Sequence, residues 1–534
     1  MTNRHVVIFT IGPVQSFIAS ARRTEDLWSG SYILSYLARE AMKALYQMDE
    51  KAEIVFPNVS KEELNKPNAK NFHIASIPNR FTAIVHGSSQ EVYARLKEVE
   101  QSVRNVFTDF CFQAIEEVFS SLSAKEKDKL CQLTERQIRS FLEVYWIIEP
   151  YGDESFKQAR ERGEKRLGAL KNEKMFEYVT QSSFVCTVCK EREALCLDDI
   201  HPNDRYGRIK QKLAKTWARR AYEYKENEEK QTGKIKNSEF LCGICLGKRA
   251  ARSYFEEKFK QAGANFRPFP SVLNIGRGNY YAIVMMDGDN MGNLFSGDKQ
   301  HAYSEVSEKL ARFAQQHVPH IVEKHEGKLV YAGGDDVLAF VPVDKALIIA
   351  EELRFAFSDQ EKGLGDGATA SFGIIIGHKK APLHMLLDGV RKLEKQAKSY
   401  RKEKDAFALS VYMGAGEILE TVLPWEIEHE RTSQLLLKFV DLLHTTLSST
   451  FIYRFLEAFS PLLEQGGKWK QKDMLYLELH RLLHRSKREG AQHVDVRPYV
   501  EDLMKLHDVV KTGYDFLYLL KMLTFFRRKE GEKK

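Results

Sequence analysis

The alternation of strand-like and helical segments between residues 279 and 412 constrains the fold of this chain more than any other feature of its sequence. Short apolar and β-branched runs predict five strands there, at residues 279–287, 328–332, 337–341, 368–377 and 406–412. Apolar residues at helical spacing predict three intervening helices, at residues 302–325, 344–357 and 382–399. The order β-α-β-β-α-β, followed by one more helix and strand, predicts a ferredoxin-like sheet.

The other segments give the chain a four-block organisation, which agrees with the three or four domains expected for 534 residues. The first block has strand patterns at 6–11, 81–85 and 144–148 and long helical patterns at about 14–46 and 90–142, so we predict a compact α/β layer structure. The last block shows helical periodicity throughout, which predicts a helical bundle. The predicted class is α+β, with blocks at residues 1–175, 176–267, 268–417 and 418–534.

Composition excludes several classes of protein. Hydrophobic residues make up 43% and charged residues 29% of the chain, which is typical of a folded protein and not of extended disorder. The net charge of +7 permits contact with nucleic acid without arguing for it. Because the sequence contains no 18-residue apolar window and no signal-peptide pattern at its start, we expect a cytoplasmic protein with no membrane partner. A highly charged stretch at 225–237 is expected to be a solvated loop or a mobile helix end.

Three aspartates are predicted to share one end of the 279–412 sheet. Asp287 ends the first strand in the sequence DGDNMG, and Asp335 and Asp336 end the GGDD turn between the two short strands. In the predicted sheet these strands are central neighbours, so the carboxylates can converge and bind Mg²⁺ or Mn²⁺, which prefer oxygen ligands. Glycines flank the aspartates and would let a triphosphate approach the backbone, at positions 288, 292, 333 and 334.

Plainer interpretations exist for each of these residues. Asp and Gly are also common at hairpin tips, so GGDD alone can be only a turn. Lys398, late in its predicted helix, can reach a phosphate or be an ordinary solvated lysine. Ser371 can face the site or a helix. The coupling of GGDD to DGDNMG favours a metal and nucleotide site over a simple turn.

Four of the seven cysteines form two C-x-x-C pairs, Cys186 with Cys189 and Cys242 with Cys245. This pattern predicts a tetrahedral thiolate site for a structural Zn²⁺, since four thiolates leave no open position for chemistry. The gap of 52 residues between the pairs is long, but each doubling of a loop costs only about 0.6 kcal/mol. Four separate thiols and a redox dithiol are the alternatives, and Cys196 is a possible substitute ligand.

The motifs in combination make the chain recognisable. It resembles the polymerase/cyclase large subunit of type III CRISPR effector complexes, in the Cmr (subtype III-B) form. The resemblance covers essentially the whole chain and rests on GGDD (333–336), IGPVQSFIASARRTEDLWSGSYILSYL (11–37), PNRF (78–81), DGDNMG (287–292) and GHKKAPL (377–383). It implies two ferredoxin-like Palm domains, the first without GGDD, with a zinc-binding helical domain between them and a C-terminal helical domain.

The resemblance also implies a function. Within a complex that holds crRNA, target RNA and other Cmr-type subunits, such a protein would use ATP and two Mg²⁺ or Mn²⁺ ions to make cyclic oligoadenylates. Asp287, Asp335 and Asp336 would bind the metals. The nucleotide would contact residues around them, namely Gly288, Asp289, Asn290, Gly333, Gly334, Ser371 and Lys398. Two alternatives stay open: transfer of AMP to another acceptor such as S-adenosylmethionine, and a catalytically idle scaffold.

One departure from the family pattern concerns nuclease activity. Many relatives begin with an HD nuclease domain, whereas this sequence enters the first Palm at about residue 4. Its one HD dipeptide, His507-Asp508, lies in the helical block and is expected to be an exposed helix pair. No intrinsic DNase activity is therefore expected.

Overall fold

The computed structural model describes two compact units. One consists of Met1–Ser271, Gly292–Gln315 and Val330–Gly334, and the other of Val272–Met291, Gln316–Leu329 and Asp335–Lys534; we call them unit 1 and unit 2. The described residues are 4–65, 74–152, 155–173, 183–201, 203–221, 235–266, 268–295, 300–413, 416–448, 450–463, 469 and 471–526. Most of the predicted charged loop at 225–237 lies outside the described residues.

Unit 1 is built on a four-stranded antiparallel sheet of order β2-β3-β1-β4. This is the ferredoxin-like order, with the first strand of the motif beside the third and fourth. The strands are β1 (Arg4–Gly12), β2 (Glu53–Phe56), β3 (Arg80–His86) and β4 (Glu143–Pro150). The helices are α1 (Gln15–Ala19), α2 (Thr24–Met48), α3 (Lys61–Asn65), α4 (Ser89–Val118), α5 (Ala124–Phe141), α6 (Phe156–Asn172), α7 (Tyr206–Trp217), α8 (Gly243–Arg249), α9 (Ala251–Gln261), α10 (Met291–Leu294) and α11 (Gln300–Arg312).

Both long helices predicted for the first block are interrupted. The 14–46 segment breaks between α1 and α2, where the Asp26 carboxylate accepts the backbone N–H groups of Arg22 and Arg23 at 3.1 and 3.2 Å. The 90–142 segment breaks before α5, where Ser123 and Glu126 form a capping box. In both places a side chain satisfies the exposed donors of a new helix start, a signal that apolar periodicity alone does not reveal.

Unit 2 contains most of a six-stranded sheet of order β10-β9-β8-β5-β7-β6. Its strands are β5 (Tyr280–Gly288), β6 (Lys328–Ala332), β7 (Val337–Val341), β8 (Ala370–His378), β9 (Ala406–Tyr412) and β10 (Ile418–Pro424), with a small ribbon of β11 (Glu426–Ile427) and β12 (Glu430–Arg431). Strands β8-β5-β7-β6 have the ferredoxin-like order, as predicted. The added β9 pairs parallel with β8, and β10 pairs antiparallel with β9.

The helices of unit 2 follow the strands as expected, with one correction. They are α12 (Val318–Lys324), α13 (Ala346–Phe357), α14 (Leu383–Lys398), α15 (Thr432–Thr445), α16 (Thr450–Phe459), α17 (Lys472–Arg485), α18 (Arg497–Val509) and α19 (Gly513–Phe526). The prediction that everything after residue 417 is helical is wrong, because β10 extends the sheet and helices begin only at Thr432. Within the described ranges, no helix is both long and apolar enough to cross a membrane.

Candidate functional site

The two aspartate motifs converge at the end of β5. Strand β5 pairs with β7, with Met286 opposite Val337, so the residue after Met286 and the residues before Val337 occupy the same end of the sheet. A Cβ atom placed on Gly288 would lie 2.8 Å from the Cβ atom of Asp335. The sheet therefore brings DGDNMG and GGDD together as the strand order predicts.

A lysine contacts the first aspartate. The ammonium group of Lys398, at the end of α14, donates to Oδ2 of Asp287 and lies 3.2 Å from Oε1 of Glu394. The Asp287 side chain is 33% exposed, so it remains open to a ligand. Lys398 is thus paired with a predicted metal ligand, and its contact with a phosphate stays a prediction.

Asp335 and Asp336 complete the predicted carboxylate group. Burial raises the pKa of Asp335 to about 6, although a hydrogen bond from its own backbone N–H acts in the opposite direction. A divalent cation would supply the positive charge that favours the ionised form. Asp336 is half-buried beside it.

The three aspartates do not form a closed metal cage. In the described part of the chain, only the four cysteines form a group of three or more candidate ligands whose atoms all lie within 4.8 Å of one another. An open arrangement suits Mg²⁺, which proteins usually hold through one or two carboxylates together with substrate phosphates. Asp287 and Asp335 therefore fit a site that is completed by a nucleotide.

Asp289 and Ser371 differ from their predicted role as nucleotide ligands. The Asp289 side chain is 2% exposed, and Ser371 is fully buried on β8. The Ser371 hydroxyl donates to Oδ1 of Asp289 at 2.8 Å. Burial raises the pKa of Asp289, while this hydrogen bond and others to its carboxylate oppose the shift. The two side chains bind each other inside the protein, and neither presents an exposed polar atom to a nucleotide.

The glycines of the turn leave space beside it. Gly334 has φ of +89°, a left-handed conformation that favours glycine. No described atom beyond their own chain neighbours lies within 4 Å of a Cβ placed on Gly333 or Gly334. Asn290 is exposed, with φ of +51°. These residues remain predicted nucleotide contacts.

The four predicted cysteines meet in unit 1. The Sγ atoms of Cys189 and Cys242 are 3.9 Å apart, close to the separation of about 3.8 Å that follows from tetrahedral Zn–S bonds. Backbone N–H groups of Val188 and Cys245 donate to the Sγ atoms of Cys186 and Cys242, each at 3.4 Å. The cluster fits a metal ion such as zinc. Cys196 lies instead 3.8 Å from the Thr216 hydroxyl, so it is not a substitute ligand.

Sequence reasoning missed the residues that fasten this cluster to the rest of unit 1. Helix α8 begins at the second cysteine pair and ends with Lys248 and Arg249, both almost fully buried. Lys248 Nζ donates to the Phe17 carbonyl at 2.5 Å, and Arg249 Nε donates to Asp26 Oδ1 at 2.6 Å. Their position about one turn after Cys245 was the available signal, because cations on a short helix that a cysteine cluster anchors have few ways to reach solvent.

The HD dipeptide requires a correction. His507 lies on α18 and is fully buried, stacked on Trp469 and edge-on to Phe516, whereas Asp508 is exposed and pairs with Lys472 at 2.8 Å. The expectation of an exposed pair is therefore wrong for the histidine, which packs in the aromatic core of the helical block.

Comparisons with known proteins agree with this architecture. The sequence profile of the second palm domain of Cas10/Cmr2 matches residues 280–408, and that of the N-terminal region of the CRISPR-associated protein Cmr2 matches residues 6–112. The CRISPR system Cmr subunit Cmr2 of Pyrococcus furiosus is 24% identical over 551 residues, which cover 78% of this chain and 62% of that protein. The chain thus spans about three fifths of the length of this curated relative.

Solved structures share the fold at low sequence identity. The type III-B Cmr-beta structure in its apo state superposes with a TM-score of 0.67 at 14% identity, over 98% of this chain and 82% of that chain. The Csm1-Csm4 cassette in complex with pppApApA gives a TM-score of 0.53 at 13% identity, over 98% and 70% of the two chains. The two sequence matches, at residues 6–112 and 280–408, support assignment of the chain to the Cas10/Cmr2 family in its Cmr2 (type III-B) form, and the Cmr-beta structure shares its fold.

Proposed function

We propose that this chain is the large subunit of a Cmr-type, RNA-guided effector complex and that target RNA switches on its synthesis of cyclic oligoadenylates from ATP. The observation that carries the proposal is the packing of Asp335 against Gly288, which unites DGDNMG and GGDD in one site. The similar Csm1-Csm4 cassette was solved with pppApApA, a linear oligoadenylate, which supports an adenylate product. The other Cmr-type subunits, crRNA and target RNA are the proposed partners.

In the proposed reaction, the 3′-hydroxyl of one ATP attacks the α-phosphorus of a second ATP held at Asp287, Asp335 and Asp336. A new O–P bond forms, the bond to the β-phosphate breaks, and pyrophosphate leaves. Two Mg²⁺ or Mn²⁺ ions, when bound there, would lower the pKa of the attacking hydroxyl and neutralise the leaving group. The Palm without GGDD would hold the acceptor nucleotide.

The chain's own residues would position the donor nucleotide. Lys398 already places its ammonium group on Asp287, and we propose that it contacts the triphosphate when metal binds Asp287. Gly333 and Gly334 leave room for phosphate oxygens beside the backbone. Gly288, the last residue of β5, and Asn290, on the turn that follows, are the remaining proposed contacts.

The decisive experiment uses the assembled complex with crRNA. Target RNA, ATP and Mg²⁺ or Mn²⁺ are added, and the products are identified by mass spectrometry. Changing Asp335→Asn together with Asp336→Asn should abolish product. Asp344→Asn is the control and should leave product formation unchanged, because the Asp344 side chain is 60% exposed and pairs with Lys345 at 3.4 Å, outside both motifs. Unchanged product from the double variant would refute the site assignment. A product with the mass of one AMP joined to S-adenosylmethionine would show that this molecule, and not a second ATP, is the acceptor. If the complex used no ATP at all, the scaffold alternative would be favoured.

We further propose that the cysteine cluster holds one structural Zn²⁺ through Cys186, Cys189, Cys242 and Cys245. All four positions of a tetrahedral ion would be filled by sulfur, which leaves none for a substrate. Elemental analysis of the purified chain should give one zinc per chain. Zinc content that stays unchanged in Cys189→Ser with Cys242→Ser would contradict this assignment.

A further inference from the structure

A buried hydrogen-bond network lies behind the aspartates of unit 2. The Asp289 carboxylate accepts the hydroxyls of Ser371 at 2.8 Å and Thr369 at 2.9 Å, and the backbone N–H of Asp405 at 3.1 Å. The backbone N–H of Asp289 donates to the Thr369 carbonyl at 2.8 Å. The turn that follows β5 is therefore fastened both to the start of β8 and to the residue before β9.

The donor from Asp405 is itself held in place. Asp405 has φ of +48°, and the preceding Lys404 has φ of +61°, a left-handed pair that costs free energy for residues other than glycine. Arg354 on α13, 5% exposed, donates from Nε to Oδ1 of Asp405 at 2.5 Å. Arg401 donates to the Asp405 carbonyl at 3.4 Å. These contacts fix the backbone conformation in which the Asp405 N–H points at Asp289.

The network acts close to the proposed metal ligands. Only Gly288 separates Asp289 from Asp287, and Asp335 packs against Gly288. Asp287 also lies opposite Ser371 in the β5–β8 pairing. Movement of the Asp289 carboxylate would therefore displace Asp287 through the backbone. It would also shift Gly288, against which Asp335 packs.

We propose that Asp289 is a positioning residue, which holds the strand end that carries Asp287, and that Arg354 acts on the same strand end through Asp405. The metal and the reaction in this proposal are those of the proposed function. In this proposal Asp289 touches neither, since it is 2% exposed and its carboxylate is turned toward Ser371, Thr369 and the Asp405 backbone. Groups behind metal ligands commonly change metal affinity or activity by about 10- to 100-fold when they are altered.

Asp289→Asn tests this role. The amide has the same shape as the carboxylate, but its N–H₂ group would face the hydroxyl and N–H donors that now bind a carboxylate oxygen, so part of the network would be lost. In the assembled complex with crRNA and target RNA, Mn²⁺ affinity is measured by electron paramagnetic resonance, with an ATP analogue that cannot transfer AMP. We expect Mn²⁺ affinity about tenfold weaker, in the range for groups behind metal ligands. We also expect a lower kcat that recovers in part at high Mn²⁺, and little change in KM for ATP.

Glu351→Gln is the matched control. Glu351 is also a buried carboxylate, 8% exposed, and it accepts three hydrogen bonds, from Arg431, Ser433 and Gln434 at 2.8 Å each. This change should lower Tm while leaving Mn²⁺ affinity unchanged. If Asp289→Asn behaved in the same way, the positioning role would be refuted. A raised KM with unchanged kcat would also refute it, since that result marks a direct nucleotide contact.

Arg354→Met tests the second half of the proposal. Alone it should weaken Mn²⁺ binding in the same direction as Asp289→Asn, and added to Asp289→Asn it should weaken binding little further, because both changes disrupt one network. Fully additive effects would refute the link through Asp405. The Mn²⁺ titration needs no turnover, so wild-type complex that binds Mn²⁺ but makes no oligoadenylate would contradict the proposed function while the titration still decided the role of Asp289.

Discussion

Adding one methyl group at Gly288 should separate catalysis from folding. The new Cβ atom in Gly288→Ala would lie 2.8 Å from the Cβ of Asp335 and 2.8 Å from the Sδ of Met291. Carbon atoms in contact prefer separations of about 3.5–4.0 Å, so something must move by about 0.7–1.2 Å. The Met291 side chain is flexible and can rotate away. The Cβ of Asp335 is bound directly to the backbone, so the aspartate itself must be displaced.

The expected loss of activity follows from that displacement. A misplacement of about 1 Å at a reacting group can cost about 100-fold in rate. Overpacking a well-filled site costs about 1–3 kcal/mol of folding free energy, so most of the molecule should stay folded. We therefore expect Gly288→Ala to make oligoadenylate about 100-fold more slowly in the assembled complex, with a small decrease in Tm.

Gly168→Ala, on the exposed face of α6, is the matched control outside the aspartate motifs. A Cβ atom at Gly168 would meet no described atom within 4 Å beyond its own neighbours. This variant should keep wild-type activity, and its Tm should not fall, because alanine favours a helix over glycine. If Gly288→Ala were as active as Gly168→Ala, the packing of Asp335 against Gly288 would not matter for the site. If its activity were lost only in proportion to unfolding, the argument from displacement would be refuted.

Three further predictions concern acid, metal and the helical block. Burial raises the pKa of Asp335 to about 6, so a proton competes with metal for this carboxylate below that pH. Mn²⁺ affinity should therefore fall by up to about tenfold per pH unit as the pH drops through 6. An Mn²⁺ affinity that stays constant between pH 5 and 7.5 would contradict this. Removal of metal from the cysteine cluster by a chelator should lower Tm. It should also speed hydrogen exchange in residues 183–201 and 235–249 more than in strands β5–β9. An equal increase in exchange in these two regions would show that the cluster is not structural. Glu351→Gln should destabilise unit 2 by about 1–3 kcal/mol, because a buried donor loses its acceptor. Urea unfolding followed by circular dichroism would measure this loss. An unchanged unfolding transition would show that these hydrogen bonds contribute no net stability.

The sequence predicts the strands of the second Palm well because each is short, apolar and bounded by turn residues. Strands β6 and β7 coincide with the predicted segments 328–332 and 337–341. Strand β2 escapes detection because it is only four residues long and lies next to Pro57 in a polar stretch. Strand β10 also escapes detection. Its alternation of more and less buried positions covers only seven residues, and the helical pattern of the segments after it dominates that part of the sequence.

The site is predicted less completely, because sequence position does not tell which way a side chain points. The placement of Asp287 and Asp335 at the same end of the sheet follows from the strand order alone. Asp289 lies two residues from Asp287, where alternation along a strand would suggest the same face, yet the chain has already left β5 and the side chain turns into the protein. Arg354 lies more than 60 residues from Asp289 in sequence, and no local pattern connects them.

The interleaving of the two compact units has a consequence for how the protein is made. Helix α11 lies between the two aspartate motifs in sequence, yet its Tyr303 belongs to the same hydrophobic cluster as Val6, Ile84 and Phe156 of unit 1. On the ribosome, unit 1 therefore cannot complete this cluster until more than 300 residues have been synthesised, although domains commonly fold in order as they emerge. A fragment that ends near residue 271 would expose apolar surface that α11 normally covers. We expect such a fragment to aggregate, so a soluble unit 1 requires residues 292–315 as well as the first 271.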